Sequence, residues 1–530
     1  MVQAHELITY HDGLHAASQL TAFATTSSTM LSRQLIRQRP RTCRLHAPKP
    51  RFSSSHASSP SPSHIGTRVA WGAACLATGW LIHDKFGSTT PIASTARDLV
   101  TSHTTSHTTT HTPDLNKLGL STQINYTTPP TSEEVTQQLN EHAFTVRDAP
   151  GGVGRYDGVQ IASNSPCEDS FVHGTFDAPL SQSSGKWLAW AIFDGHCGWQ
   201  LSSLLTTQLM PYVRKSLREA RTDDDEAVHN ALKTAFTTLD DAIVKSATSI
   251  IESDLPFAEK ARRLEPAYAG ACALLTLYDP TSRKLRVAST GDCRAVLGRK
   301  TAAGKWAATD LSEDCTGATP SEAARIKAQF PDEPDIVQGG RVWGLQPSRT
   351  FGDGMWKWTS ELKKNLRHHY NGLSLPSSAR YKNYKDGPYV TVEPLVTTTQ
   401  IPDSKESPSF VILATDGLWD TMSSEQAVDL VGRWWERQQK GSVSTQADEK
   451  QSSDFGPTVL GWKQQCKYEE SKATFRDGNA AVHLARNGLG GAHEEMVRGA
   501  LAFRYPNSRD IRDDITIQVV FFGLDSSSKA

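Results

Sequence analysis

The sequence predicts an α+β fold built in layers over residues 150–523, and three observations carry that reading. Short apolar runs with strand character recur, each beside an acid: Leu188–Phe193 runs into Asp194, Phe410–Thr415 into Asp416, and Ile515–Phe522 follows Asp513 and Asp514. Stretches with the apolar spacing of helices fill the gaps between them. Strand runs that come as neighbours, and helices that come in series, favour segregated layers over alternating βαβ units.

Taken in order, the first element begins near Thr131, where Thr131 and Glu134 offer a capping box to a helix through Val135 and Leu139. LAWAIF then reads as a buried strand. Leu201, Leu204, Leu205 and Leu209 mark one helix, and Val228, Leu232, Phe236, Leu239 and Ile243 the next. KLRVAST stops at Gly291-Asp292 and resumes as CRAVLG, which reads as a hairpin. FVILAT and ITIQVVFF close the series. Residues 437–500 read as an insertion, with KGSVSTQADEKQSSDFGP as a surface loop and GNAAVHLARNGLG as a return to helix. Residues 524–530 are a tail; its closing Ser-Lys-Ala is a chance approach to a peroxisomal signal.

The amino-terminal quarter reads differently. From Met30 the chain is rich in Arg and Ser and has no acid before Asp84, the composition of a mitochondrial transit peptide. Residues 1–68 are therefore read as a disordered targeting region, with the presequence starting at Met30 and Met1 an upstream start. Within residues 69–86, the apolar run Val69–Ile82 is shorter than the about 20 residues of a spanning helix. It is either an inner-membrane anchor or the apolar part of the import signal, which leaves matrix and intermembrane space both open. Residues 87–130 are Ser/Thr/His-rich, and TSHTTSHTTTHT cannot bury enough apolar area to repay its ordering entropy. A flexible linker is the reading; metal binding by His103, His107 and His111 would need a helix that this Thr-rich run disfavours.

Composition removes other classes. With Lys+Arg 56 against Asp+Glu 57, the formal charge of -1 argues against a nucleic-acid binder. The 8 cysteines form no C-x-x-C pair, so a disulfide scaffold or zinc knuckle is not expected. Apolar residues at 37% and a mean hydropathy of -0.45 fit a globular domain diluted by disordered segments.

The acids carry the chemistry. A single Asp-Gly is a turn signal and little more. Several carboxylates converging at strand ends repel one another unless a cation sits among them. Oxygen donors without a Cys or His cluster select Mg²⁺ or Mn²⁺ over Zn²⁺. Glycine after the aspartate would let the chain turn sharply and free its carbonyl as a further oxygen donor.

The order CEDS, FDGH, GACALLTLYD, VASTGDCRAVLG, PSRTFGD, LATDGLWD, RDDITIQVV resembles the metal-dependent (PPM-type) protein serine/threonine phosphatases. IASNSPCEDS, GLQPSRTFGDGMWKW, NAAVHLARNGLG and TPPTSEEVTQQLNEHAFTV are closest to the mitochondrial pyruvate dehydrogenase phosphatase branch. The resemblance implies an αββα sandwich of two antiparallel sheets over residues 131–523, with a two-metal site at one end. It also implies hydrolysis of phosphoserine or phosphothreonine by a metal-held hydroxide. Carried onto this chain, Asp194 bridges both ions, Gly195 lends its carbonyl, and Asp416 and Asp513 hold the other ion. Glu168 and Asp169 act through water or at the rim, and Asp292 with Asp416 is the place for a third, weaker ion. His196 is the general acid for the leaving alkoxide. Where many members carry a phosphate-gripping Arg, this chain has Asn164, which would hold the anion more weakly. Arg349 is either a further phosphate contact or half of a structural ion pair. The implied partner is a phosphoprotein, with the E1α subunit of pyruvate dehydrogenase foremost.

Two other classes compete. Cys293 and Arg299 match the Cys-x5-Arg of cysteine-dependent tyrosine phosphatases, but CRAVLGR reads as a strand rather than an anion-cradling loop. A catalytically weak scaffold, or a generalist phosphatase of the same family, is the remaining alternative.

Overall fold

Two antiparallel sheets stack face to face because the strands that build them are apolar on both sides. In the computed structural model the described residues are 130–179, 185–222, 224–370, 385–402, 408–440 and 467–522. The targeting region, the Val69–Ile82 run, most of the linker, the 441–457 loop and the tail lie outside them. Among the described residues no helix is long and apolar enough to cross a membrane.

The first sheet contains β1 (Phe144–Ala149), β2 (Val153–Ile161), β7 (Arg294–Lys300), β8 (Trp306–Asp310), β13 (Ser409–Ala414) and β14 (Ile515–Phe522), in the order β1-β2-β14-β13-β7-β8. The second contains β3 (Ser170–Asp177), β4 (Lys186–His196), β5 (Gly270–Asp279), β6 (Lys284–Thr290) and β12 (Leu395–Gln400), in the order β12-β6-β5-β4-β3. A short β11 (Phe351–Gly352) pairs with the start of β5, and β9 (Val337–Gln338) with β10 (Arg341–Val342) makes a small ribbon.

Alternation along each strand explains the layering. On β4, Trp190 and Ile192 face the other sheet, meeting Val411, Leu413 and Val520, while Ala191 and Phe193 face the helices and meet Leu205 and Phe236. On the first sheet, Ile412, Ile517, Val519 and Phe521 turn outward onto Trp434 and Leu484. Three apolar layers result: helices on sheet, sheet on sheet, sheet on helices. This is the αββα sandwich, and each fully buried Leu, Ile, Val or Phe in it is worth about 1.5–3 kcal/mol.

Helices Gln200–Ala220 and Asp225–Glu252 cover the second sheet. Helices Ser132–Asn140, Ser424–Gln439, Ala480–Gly488 and Glu494–Ala502 cover the first. The capping box forms as expected: Thr131 Oγ1 accepts from Glu134 N, and Glu134 Oε2 accepts from Thr131 N at 2.7 Å. Within 437–500, the described carboxy-terminal part is core rather than appendage. Ala480–Gly488 is buried throughout, capped by Asn479, and anchored by the buried Asp477–Arg486 pair.

The KLRVAST–CRAVLG pair is not a hairpin. β6 lies in the second sheet and β7 in the first, so the chain crosses between sheets at Gly291–Cys293. Gly291 makes the crossing with φ +98, against Cys272. The reading failed because two adjacent strands joined by Gly-Asp look alike whether they pair or part.

Candidate metal centre

The crossing carries Asp292 to the end of the sandwich where β4 and β13 also deliver an acid. One carboxylate oxygen from each of Asp194, Asp292 and Asp416 lies within 4.8 Å of the other two. Asp194 comes from the second sheet, Asp416 follows the first, and Asp292 sits on the link between them.

This arrangement is electrostatically unfavourable on its own. Burial, then the charges of Asp169 and Asp292, push Asp194 well above the usual carboxylate range. Burial, then Asp194 and Asp292, do the same to Asp416. A divalent cation among the oxygens would reverse that field, so the cluster fits Mg²⁺ or Mn²⁺. Cys272 does not make it a soft site. Its thiol donates to Asp292 Oδ1 at 3.1 Å, and burial keeps it protonated. Gln346 Nε2 holds the other oxygen of Asp292 at 3.0 Å.

Gly195 does not turn the chain. It continues β4, paired with Ala271, and a Cβ there would sit 2.2 Å from the Glu168 carbonyl oxygen. Glycine is required by close approach, not by a bend. Asp169 is 4% exposed and accepts from Thr415 Oγ1 at 3.0 Å. Burial, then the charge of Asp514, raises its pKa well above the usual range. Glu168 is half-buried, and burial raises it too. Asp513 stands outside the tight trio, ion-paired with Arg509.

Two residues in contact with the expected site escaped the sequence reading. Asp353, in PSRTFGD, is fully buried and lies 2.8 Å from His196 Nε2. Burial pulls the imidazole pKa down, but Asp353 outweighs it and the net shift is upward. Asp514 is the clasp of the first loop, accepting from the backbone N–H of Ser163, Asn164 and Glu168. Burial alone would raise Asp514; those donors hold it below the usual range. The doubled acid before β14 was the available signal, since adjacent residues there point to different partners.

The structure engages both expected phosphate contacts with protein acceptors. Asn164 Nδ2 donates to Asp514 at 2.8 Å and Glu168 at 3.1 Å. Arg349 is buried, donating to Glu322 at 2.8 Å and to the Glu393 carbonyl at 2.6 Å. Cys293 sits in the crossing with a buried thiol pushed well above its ordinary pKa, unlike a nucleophilic thiolate.

The profile of the family described as Protein phosphatase 2C matches residues 159–451. The chain belongs to the protein phosphatase 2C family. It is a protein serine/threonine phosphatase, and the family depends on Mg²⁺ or Mn²⁺. A protein phosphatase 2C homolog of Schizosaccharomyces pombe is 38% identical over 412 residues, covering 75% of this phosphatase and 87% of that protein. The mitochondrial [pyruvate dehydrogenase [acetyl-transferring]]-phosphatase 1 of Saccharomyces cerevisiae is 31% identical over 400 residues, covering 70% of this phosphatase and 69% of that protein. The human mitochondrial phosphatase 2 of the same name is 29% identical over 440 residues, covering 71% and 79%. The phosphatase also resembles the crystal structure of a serine-threonine phosphatase 2C from Toxoplasma gondii at 17% identity and TM-score 0.40, covering 72% of this chain and 99% of that one.

Proposed function

We propose that this chain is a mitochondrial phosphatase of the pyruvate dehydrogenase complex, acting on phosphoserine or phosphothreonine of its E1α subunit. The observation that carries the reading is the 31% identity with the yeast pyruvate dehydrogenase phosphatase across 70% of this chain. The Arg-rich, acid-free stretch from Met30 supports the compartment.

In this reading Asp194, Asp416 and Asp513 would hold two ions with the Gly195 carbonyl, Asp292 would serve a weaker third, and Glu168 and Asp169 would support them. When bound, the ions supply an acidified water as nucleophile and positive charge against the phosphoryl oxygens. His196 gives a proton to the departing Ser or Thr oxygen. Its Nε2 faces Asp353, which leaves Nδ1 for that transfer. Asp353 fixes the ring and favours the charged form that has a proton to give. Because Asn164 is tied down by Asp514, affinity for substrate has to come from elsewhere, and contacts on the protein surface can serve catalysis.

The test compares kcat/KM on intact phosphorylated E1 with that on a phosphopeptide from it. A clear preference for the intact protein is expected. Equal treatment of the two would favour a generalist phosphatase, a reading to which the generic name of the fission-yeast relative also lends support. Protease protection in intact and swollen mitochondria tests the location.

A further inference from the structure

Position 164 lacks the arginine that would grip a phosphate, yet the same corner of the site has a cation from another part of the chain. Arg509, in the turn Asn507–Asp510, reaches back to the first loop. Its Nη1 donates to Ser163 Oγ at 3.2 Å and pairs with Asp513. Ser163 is the neighbour of Asn164, and the two segments are clasped together. Ser508 Oγ donates to the Ser163 carbonyl, and Asp514 accepts from Ser163, Asn164 and Glu168. Arg509 is thus held at a fixed place relative to position 164.

The guanidinium is anchored by one end only. Among the described residues its hydrogen bonds run from Nη1 alone, which leaves Nε and Nη2 without one, and the side chain is 37% exposed. Those two nitrogens form the edge of the planar fork that binds a phosphate through two parallel hydrogen bonds. Other arginines nearby are committed. Arg294 is taken bidentately by Asp314, at 3.0 and 2.6 Å. Arg349 is buried on Glu322, and Arg512 is spent on the carbonyls of Ala162, Ala500 and Phe503. Arg341 is exposed on β10, but its contacts are Gly344 and Gln346, on the Asp292 side.

We propose that Arg509 binds the phosphoryl group of the substrate, replacing from the carboxy-terminal turn the arginine absent at position 164. The inference rests on the phosphatase reading, and takes as ligand any phosphate monoester dianion or the inorganic phosphate product. Nη1 stays on Asp513 and Ser163 while Nε and Nη2 face the anion, so one side chain ties the acid cluster to the phosphate.

The experiment uses the full chain at saturating Mn²⁺, with p-nitrophenyl phosphate as substrate and inorganic phosphate as competitive inhibitor. Arg509→Gln is expected to raise both the KM and the phosphate inhibition constant at least tenfold, with the half-saturating Mn²⁺ concentration unchanged within twofold. Arg509→Lys, which keeps charge but loses the fork and guards against a misfolded Gln variant, is expected to fall between. An unchanged phosphate constant in both variants would overturn the proposal. So would a rise matched by an equal rise in Mn²⁺ requirement, which would mean that Arg509 acts by holding Asp513. A larger effect from Arg341→Gln than from Arg509→Gln would also overturn it. None of these readouts depends on which phosphoprotein is the natural substrate, so failure of the pyruvate dehydrogenase reading leaves them intact.

Discussion

His196 Nε2 and Asp353 Oδ2 lie 2.8 Å apart, and Gly270 is what lets them meet. A Cβ at position 270 would sit 2.0 Å from that nitrogen and 2.4 Å from that oxygen. The pair therefore depends on three separate segments: the end of β4, the start of β5 and the turn after β11.

This pair gives a leaving-group prediction. His196→Ala is expected to lower kcat on a phosphoserine peptide by about 10²–10⁴-fold, the usual contribution of a general acid. p-Nitrophenyl phosphate, whose phenolate leaves unprotonated, should lose far less. Asp353→Asn and Gly270→Ala should show the same split in weaker form. Equal loss on both substrates would assign the pair to upholding the metal site instead.

Glu322 gives a prediction about pH and stability. Burial raises its pKa, but Arg325, Arg349 and Ser348 outweigh burial and bring it down to about 2. The ordinary glutamate value is about 4.3, so the group stabilises the fold by on the order of 3 kcal/mol. A depressed carboxylate gives this stability above its unfolded value and loses it as pH falls through the folded one. Urea unfolding of wild type and Glu322→Gln should thus differ by the full amount at pH 7 and by roughly half or less at pH 3. A difference that does not shrink with acid would mean that packing, not charge, holds the Arg349 loop.

The buried Cys293 gives a negative control. With the exposed Cys197 replaced by Ser, iodoacetamide at neutral pH should leave Mn²⁺-dependent activity intact, and Cys293→Ala should stay within a few-fold of wild type. Activity abolished by the alkylating agent and indifferent to EDTA would point to cysteine chemistry.

Much of this was legible in the residues. Thr131 and Glu134 announced their helix because a capping box is local chemistry. β4, β13 and β14 were legible because strands buried on both faces read as continuous apolar runs. Asp194, Asp292 and Asp416 stood out as acids at the ends of such runs, and the structure gathers them within 4.8 Å. What sequence could not show was pairing at a distance. Whether β6 and β7 share a sheet depends on β5 and β13, not on Gly291-Asp292. Asp353 carries no periodic signal, since its partner lies 157 residues away. Arg509 was silent for the same reason, being a turn residue whose importance comes from Ser163 and Asp513.

The most direct measurement is Mn²⁺ binding and hydrolysis on the same chelator-stripped protein, in wild type and in Asp194→Ala and Asp416→Ala. Stripped wild type should be inactive towards p-nitrophenyl phosphate and regain activity in step with bound Mn²⁺. Each variant, folded by circular dichroism, should bind fewer ions and stay near the uncatalysed rate, because the members of such a cage act as a unit. Folded variants that keep activity within a few-fold of wild type would contradict the assignment of Asp194 and Asp416 to the metal.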